Sequence, residues 1–102
     1  MTDADKTTVE RRPYVIKTSS DPSAADVEFG VSRSYDVNPT LWVSGSWVGP
    51  YDTVTNTIDA LTPLVGEGQA LDITDTGLWV IYVRWTVVDE IPVRAIDQVT
   101  FY

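Results

Sequence analysis

The side chains able to do chemistry in this chain form a restricted set. Its 102 residues include no cysteine and no histidine. Disulfides, thiolate metal sites, cysteine nucleophiles and the usual imidazole base of neutral-pH catalysis are therefore excluded. What remains is carboxylates, hydroxyls, Lys, Arg and a large aromatic complement of four Trp, five Tyr and two Phe. Asp52, Asp72, Asp75, Asp89 and Glu90 are the carboxylates to weigh as a calcium site, which needs about six to eight oxygens gathered closely. Their spacing follows no loop signature and forms no acid–base pair of the glycosidase kind, so a solvated acidic surface is expected. No cofactor and no enzymatic activity are expected.

The aromatics suggest a different chemistry. Trp42, Trp47, Trp85, Tyr35 and Tyr51 could stack on sugar rings, which keeps a carbohydrate-binding or host-surface adhesion module as the alternative reading. In a domain of this size, however, most tryptophans are core residues or interface anchors. Trp42 and Trp47 have opposite parity along one stretch, so at most one points inward unless Gly45 marks a bulge.

The elements that position these groups read as strands. Residues 12–18, 27–32, 41–48, 53–61, 69–73, 78–88 and 91–102 carry β-branched and aromatic residues between turn signals such as Ser19-Ser20-Asp21-Pro22, Gly49-Pro50 and Asp75-Thr76-Gly77. No stretch sustains a 3.6-residue apolar period, so helix is not expected. About seven short strands in one domain of this length match an antiparallel sandwich, with a barrel as the rival. Residues 1–8 are polar and aperiodic and read as a flexible or partner-ordered arm. Residues 9–102 read as a single domain, and residues 91–102 fold back on 78–88 as a hairpin around Asp89-Glu90.

Parity along that hairpin predicts its faces. In 78–88 the odd positions Trp79, Ile81, Val83, Trp85 and Val87 are all apolar and belong to the core. The even positions include Leu78, Val80, Tyr82 and Val88, too apolar for a wet face. Either a loop or the N-terminal arm covers them, or they meet another protein. In 91–102 the odd positions face inward with Asp97 as the exception. Arg94 and Ile96 fall on the outward side, at the same parity as Arg84 on the neighbouring strand.

The net charge is −8. Residues 1–17 carry four bases against three acids, and residues 18–102 carry twelve acids against three bases. This balance argues against nucleic acid as a partner. No apolar run reaches membrane-spanning length and no secretory leader is evident, so no membrane partner and synthesis in the host cytoplasm are expected.

Residues Asp75-Thr76-Gly77-Leu78-Trp79-Val80-Ile81 resemble the D-x-G-x-Y-x-C segment that opens strand F of immunoglobulin-like domains, with Trp79 at the tyrosine position and Ile81 at the cysteine position. The wider layout is a polar arm, a strand entered through Pro13-Tyr14, a Trp-containing middle strand, residues 74–84 and the Val93-Arg94 pair. It is similar to the small immunoglobulin-like virion proteins of tailed bacteriophages, particularly those of actinobacteria. That resemblance implies an all-β immunoglobulin-like antiparallel sandwich located in the virion. The implied role is non-enzymatic, as a capsid decoration or a head–tail neck or tail component that binds other virion proteins in many copies. The candidate interface residues are Arg11, Arg12 and Tyr14 where arm meets body, Trp42, and Val80, Tyr82, Arg84, Arg94 and Ile96 on the outward side of the hairpin. Deleting residues 1–12 is expected to leave the domain folded.

Overall fold

The computed structural model describes residues 2–4, 9–86 and 91–102, so the expected turn at Asp89-Glu90 lies outside the described residues. Every regular element among them is a strand. In chain order these are β1 (Thr2–Ala4), β2 (Pro13–Lys17), β3 (Val27–Ser32), β4 (Val43–Ser44), β5 (Ser46–Asp52), β6 (Thr57–Leu61), β7 (Val65–Gly66), β8 (Leu71–Asp72), β9 (Gly77–Trp85) and β10 (Val93–Phe101). They form a five-stranded sheet in the order β1-β10-β9-β3-β4, a three-stranded sheet β2-β6-β5 and a two-stranded ribbon β7-β8. Pairing is antiparallel except for β1 on β10 and β7 on β8.

The all-β expectation holds. Ten strands replace the expected seven because 41–48 divides into β4 and β5, and the short β1 and β7 find partners that turn signals alone do not announce.

One apolar core joins the elements. Ile16, Ile58 and Ala60 of the smaller sheet pack with Val27, Phe29, Trp79, Ile81, Val83, Trp85, Val99 and Phe101 of the larger one, and Val65, Leu71 and Ile73 join the same cluster. The odd positions of β9 supply its inner face, as parity requires.

Gly45 explains the division of 41–48. Before it, β4 pairs with β3; after it, β5 pairs with β6 in the other sheet. The chain changes sheets by passing directly over Phe29. A Cβ at position 45 would stand 2.5 Å from Phe29 Cε2 and 2.6 Å from the Leu61 carbonyl oxygen, so only glycine fits without displacement.

The segment 53–61 begins as a turn. Asp52 Oδ1 accepts bonds from the backbone N–H of Val54 (2.8 Å) and Thr55 (3.3 Å), and Asn56 takes a left-handed φ of 58°. Asx chemistry thus closes the β5–β6 hairpin and delays β6 to Thr57.

A bulge in β10 changes its parity. Arg94 lies opposite Val83 and Ala95 opposite Tyr82, but Asp97 lies opposite Ile81, with the register shifting between Ala95 and Asp97. Two residues of β10 oppose one of β9 there, so residues before the shift face the side opposite to what strict alternation from Val99 implies.

Candidate protein-interaction surface

The outward side of β9 is already covered by the chain itself. Val80 is 0% exposed and Tyr82 4%, because the segment 33–42 between β3 and β4 lies across them. Tyr82 donates its hydroxyl to the carbonyls of Ser34 (3.1 Å) and Tyr35 (2.9 Å), and Tyr35 donates its own to Gln98 Oε1 (3.1 Å). Gly30 lets the segment lie close, since a Cβ there would meet Pro39 Cβ at 2.5 Å. Of the two explanations for an apolar outward face, the loop accounts for Val80 and Tyr82, which offer no contact surface to a partner.

Arg84 and Trp42 complete this covering. Arg84 Nε donates to Glu28 Oε1 at 3.0 Å, and its guanidinium carbon stands 4.3 Å from the centre of the Trp42 ring. Cross-strand pairing of Glu28 with Arg84 supplies the geometry, and the stack binds the start of β4 to β9 through charge and ring quadrupole.

Arg94 and Ile96 do not join Arg84. Upstream of the bulge Arg94 sits opposite core-facing Val83, with its guanidinium 5.0 Å from the Trp85 ring centre and a bond to the Lys17 carbonyl; Ile96 packs against the core. The matched outward pair of arginines therefore does not form. Strict period-two counting fails at the inserted residue.

Arg12 and Tyr14 belong to a polar chain running between the two sheets. Arg12 is 8% exposed and its backbone N–H donates to Thr62 Oγ1 at 2.8 Å. Its guanidinium pairs with Glu10 and donates from Nε to the Tyr14 hydroxyl at 3.3 Å. Tyr14 in turn donates to Asp97 Oδ2 at 2.6 Å, and Gln98 N–H donates to Asp97 Oδ1 at 2.8 Å. Asp97, expected to be the exception among the odd positions, thus faces inward, and a hydroxyl from the opposite sheet bonds it.

Burial first, then the bond to Asp97, push the Tyr14 pKa well above the tyrosine range against the opposing pull of Arg12. Tyr14 stays neutral at physiological pH, so this chain clamps the sheets and supplies no ready base. A cleft of about 250 Å³ borders it, lined by Glu10, Arg11, Arg12, Pro13, Tyr14 and Asp97. Arg11 is exposed, and its guanidinium reaches the Thr62 carbonyl at 3.5 Å.

Exposed apolar side chains remain on the covering segment itself, at Tyr35, Val37 and Leu41, and a second set lies on the outer face of β2-β6-β5. Val15 and Val48 stand on either side of Asp59 in one cross-strand row, and Pro13 and Ser46 flank Leu61 in the next. Val15 is 68% exposed and Val48 47%. A shallow cleft of about 420 Å³ runs over this face, with Pro13, Val15, Val48, Asp59 and Leu61 among its lining residues. One signal for it is present in the sequence. Tyr14-Val15-Ile16 is an unbroken apolar run, so if Ile16 is core, Val15 must point out.

Neither middle-strand tryptophan is an open stacking platform. Trp42 carries Arg84 on one face. Trp47 is half-buried, packs edge-on against Trp85 with ring centres 6.1 Å apart, and donates its indole N–H to the Ala25 carbonyl at 2.8 Å. Among the carboxylates weighed for calcium, Asp52 is used by its turn and Asp72 accepts from Gly68 N–H, while Asp89 and Glu90 lie outside the described residues. Among the described residues no three carboxylates gather as metal ligands would.

Comparison with protein-family models, with curated proteins and with solved structures finds no match for this chain.

Proposed function

We propose that the chain is a non-enzymatic, immunoglobulin-like interaction domain and a structural subunit of a tailed-phage virion. It docks on other virion proteins through the outer face of β2-β6-β5. The observation that carries the docking reading is the row Val15, Asp59, Val48, where two exposed valines flank one charge on a sheet face that no other part of the described chain covers. An apolar patch rimmed by charge is the usual make-up of a protein-contact surface.

Two features support the immunoglobulin-like reading. The order β2-β6-β5 facing β10-β9-β3-β4 matches strands B-E-D facing G-F-C with a short C′. Trp79 also donates its indole N–H to the Asp75 carbonyl at 2.9 Å, four residues upstream. That bond does the work of the tyrosine-corner hydroxyl with a different donor. The chain departs from the pattern beside β2, where a constant-type sandwich seats strand A. The N-terminal strand here lies along β10 instead.

The virion assignment extends the sequence resemblance carried by residues 74–84 and the hairpin, and the acidic body suits docking on basic or mixed surfaces. Mass spectrometry of purified phage particles tests it. The chain is expected in a fixed, multiple copy number relative to the major coat protein, and its absence from intact particles would refute the assignment.

A further inference from the structure

The exposed edge of β2 has backbone groups whose order can be derived. Thr62 N–H donates to the Arg12 carbonyl and Thr18 N–H to the Asn56 carbonyl, and between them Tyr14 pairs with Ala60 and Ile16 with Ile58. Bonded and non-bonded pairs alternate along an antiparallel ladder. Even residues of β2 therefore turn their backbone groups toward β6, and Pro13, Val15 and Lys17 turn theirs to an edge that no other described strand pairs with.

That edge presents the Pro13 carbonyl, both groups of Val15 and the Lys17 N–H. It is defective in two places: Pro13 has no N–H, and the Lys17 carbonyl is already taken by Arg94.

The geometry points to a homodimer in which the β2 edges of two copies pair antiparallel about an axis at Val15. In this register Val15 of each copy exchanges both backbone bonds with Val15 of the other, and each Lys17 N–H donates to the other copy's Pro13 carbonyl. The two defects fall opposite each other, so the missing proline donor faces the one carbonyl that needs none. A shift of two residues in one direction leaves the Val15 carbonyls facing prolines, and in the other it aims the Val15 N–H groups at the occupied Lys17 carbonyls.

Charge agrees with this edge. Residues 10–17 carry three bases and one acid in a chain of net charge −8, so two copies meet here without bringing acidic surfaces together. The two Lys17 residues stand at opposite ends of the shared edge, about 13 Å apart, farther than a Debye length at physiological salt. Arg11 leans toward Thr62 and away from the edge. The two small sheets become one continuous sheet, and the outer-face patches of both copies remain open side by side.

The inference needs no other protein and stands or falls separately from the virion assignment. A monomer found in particles would leave that assignment intact, and a dimer missing from particles would leave this one.

Sedimentation across a concentration series and disulfide trapping test it. The wild type is expected to self-associate. Val15→Cys should be captured as a linked dimer under mild oxidation, because bonded antiparallel partners have Cα atoms about 5.5 Å apart. Val48→Cys, one strand beyond β6 on the same face, should stay unlinked. Val15→Pro removes an N–H that no bond among the described residues uses, and should weaken association about 30-fold with the unfolding transition retained. A monomer at every concentration overturns the proposal, as does linking of Val48→Cys as readily as Val15→Cys, which marks stacking of faces. A folded Val15→Pro that associates like wild type also overturns it, and if that variant fails to fold the cysteine pair decides alone.

Discussion

Tyr14 and Trp79 show how single polar atoms fix this fold. The Tyr14 hydroxyl joins β2 to Asp97 of the opposite sheet, and Tyr14→Phe leaves Asp97 with its Gln98 N–H bond and a distant Arg12. The expected loss is about 1 kcal/mol in denaturant unfolding at neutral pH. The same residue gives a pH signature. Its folded pKa lies above the ordinary tyrosine value of about 10, so on raising pH the unfolded chain gives up this proton first. The contribution is whole below about pH 10 and is lost progressively above it. Stability measured through this range should therefore fall less steeply in Tyr14→Phe than in wild type. Trp79→Phe keeps the buried ring but loses the bond to Asp75, with an expected cost of about 1 kcal/mol or more, read in the same assay. The sequence set Asp97 apart as the exception among the inward odd positions, whereas it faces inward opposite Ile81. Its partner was not legible, because Tyr14 lies on a strand 83 residues away and no local pattern joins them.

Among the elements, those with uninterrupted alternation were the readable ones. β2, β3, β9 and the all-β character follow from period-two patterning and turn residues. The division at Gly45 and the bulge at Ala95–Asp97 do not, since each depends on which distant strand is available for pairing. Four expected interface positions differ from expectation, two by loop coverage and two by the bulge. Val80 and Tyr82 lie beneath the 33–42 segment, and Arg94 and Ile96 turn toward the core side. Gly45→Ala tests the sheet crossing. Its Cβ would collide with Phe29 and the Leu61 carbonyl, and overpacking of this kind should cost about 1–3 kcal/mol by denaturant midpoint. Deleting residues 1–12 carries a structural cost that the sequence does not show. Arg12 is buried and bonded through its backbone to Thr62 in both directions, and Glu10 pairs with Val65. Deleting 1–12 should therefore lower the melting temperature clearly more than deleting 1–8, which removes β1 alone among the described strands.

At the scale of the whole molecule, the chain uses its sequence-level surplus of apolar surface in two ways. The 33–42 segment hides Val80 and Tyr82 of the five-stranded sheet but leaves its own Tyr35, Val37 and Leu41 exposed, and the three-stranded sheet leaves Val15 and Val48 exposed on either side of Asp59. Parity marked the even face of β9 as too apolar to be wet, and the loop that covers Val80 and Tyr82 was not legible, because such coverage is a tertiary event. The proposed contact surface with the virion is the outer face of β2-β6-β5. It is tested most directly by the copy number of Val48→Lys in purified particles. The new lysine stands opposite Asp59 across β5 and β6, an arrangement that preserves the fold, yet it places a charge within the apolar patch and away from the β2 edge. The account predicts a folded protein whose copy number per particle falls about tenfold or more relative to wild type, as expected when a charge is set into a contact surface. Incorporation of folded Val48→Lys at wild-type copy number would contradict it.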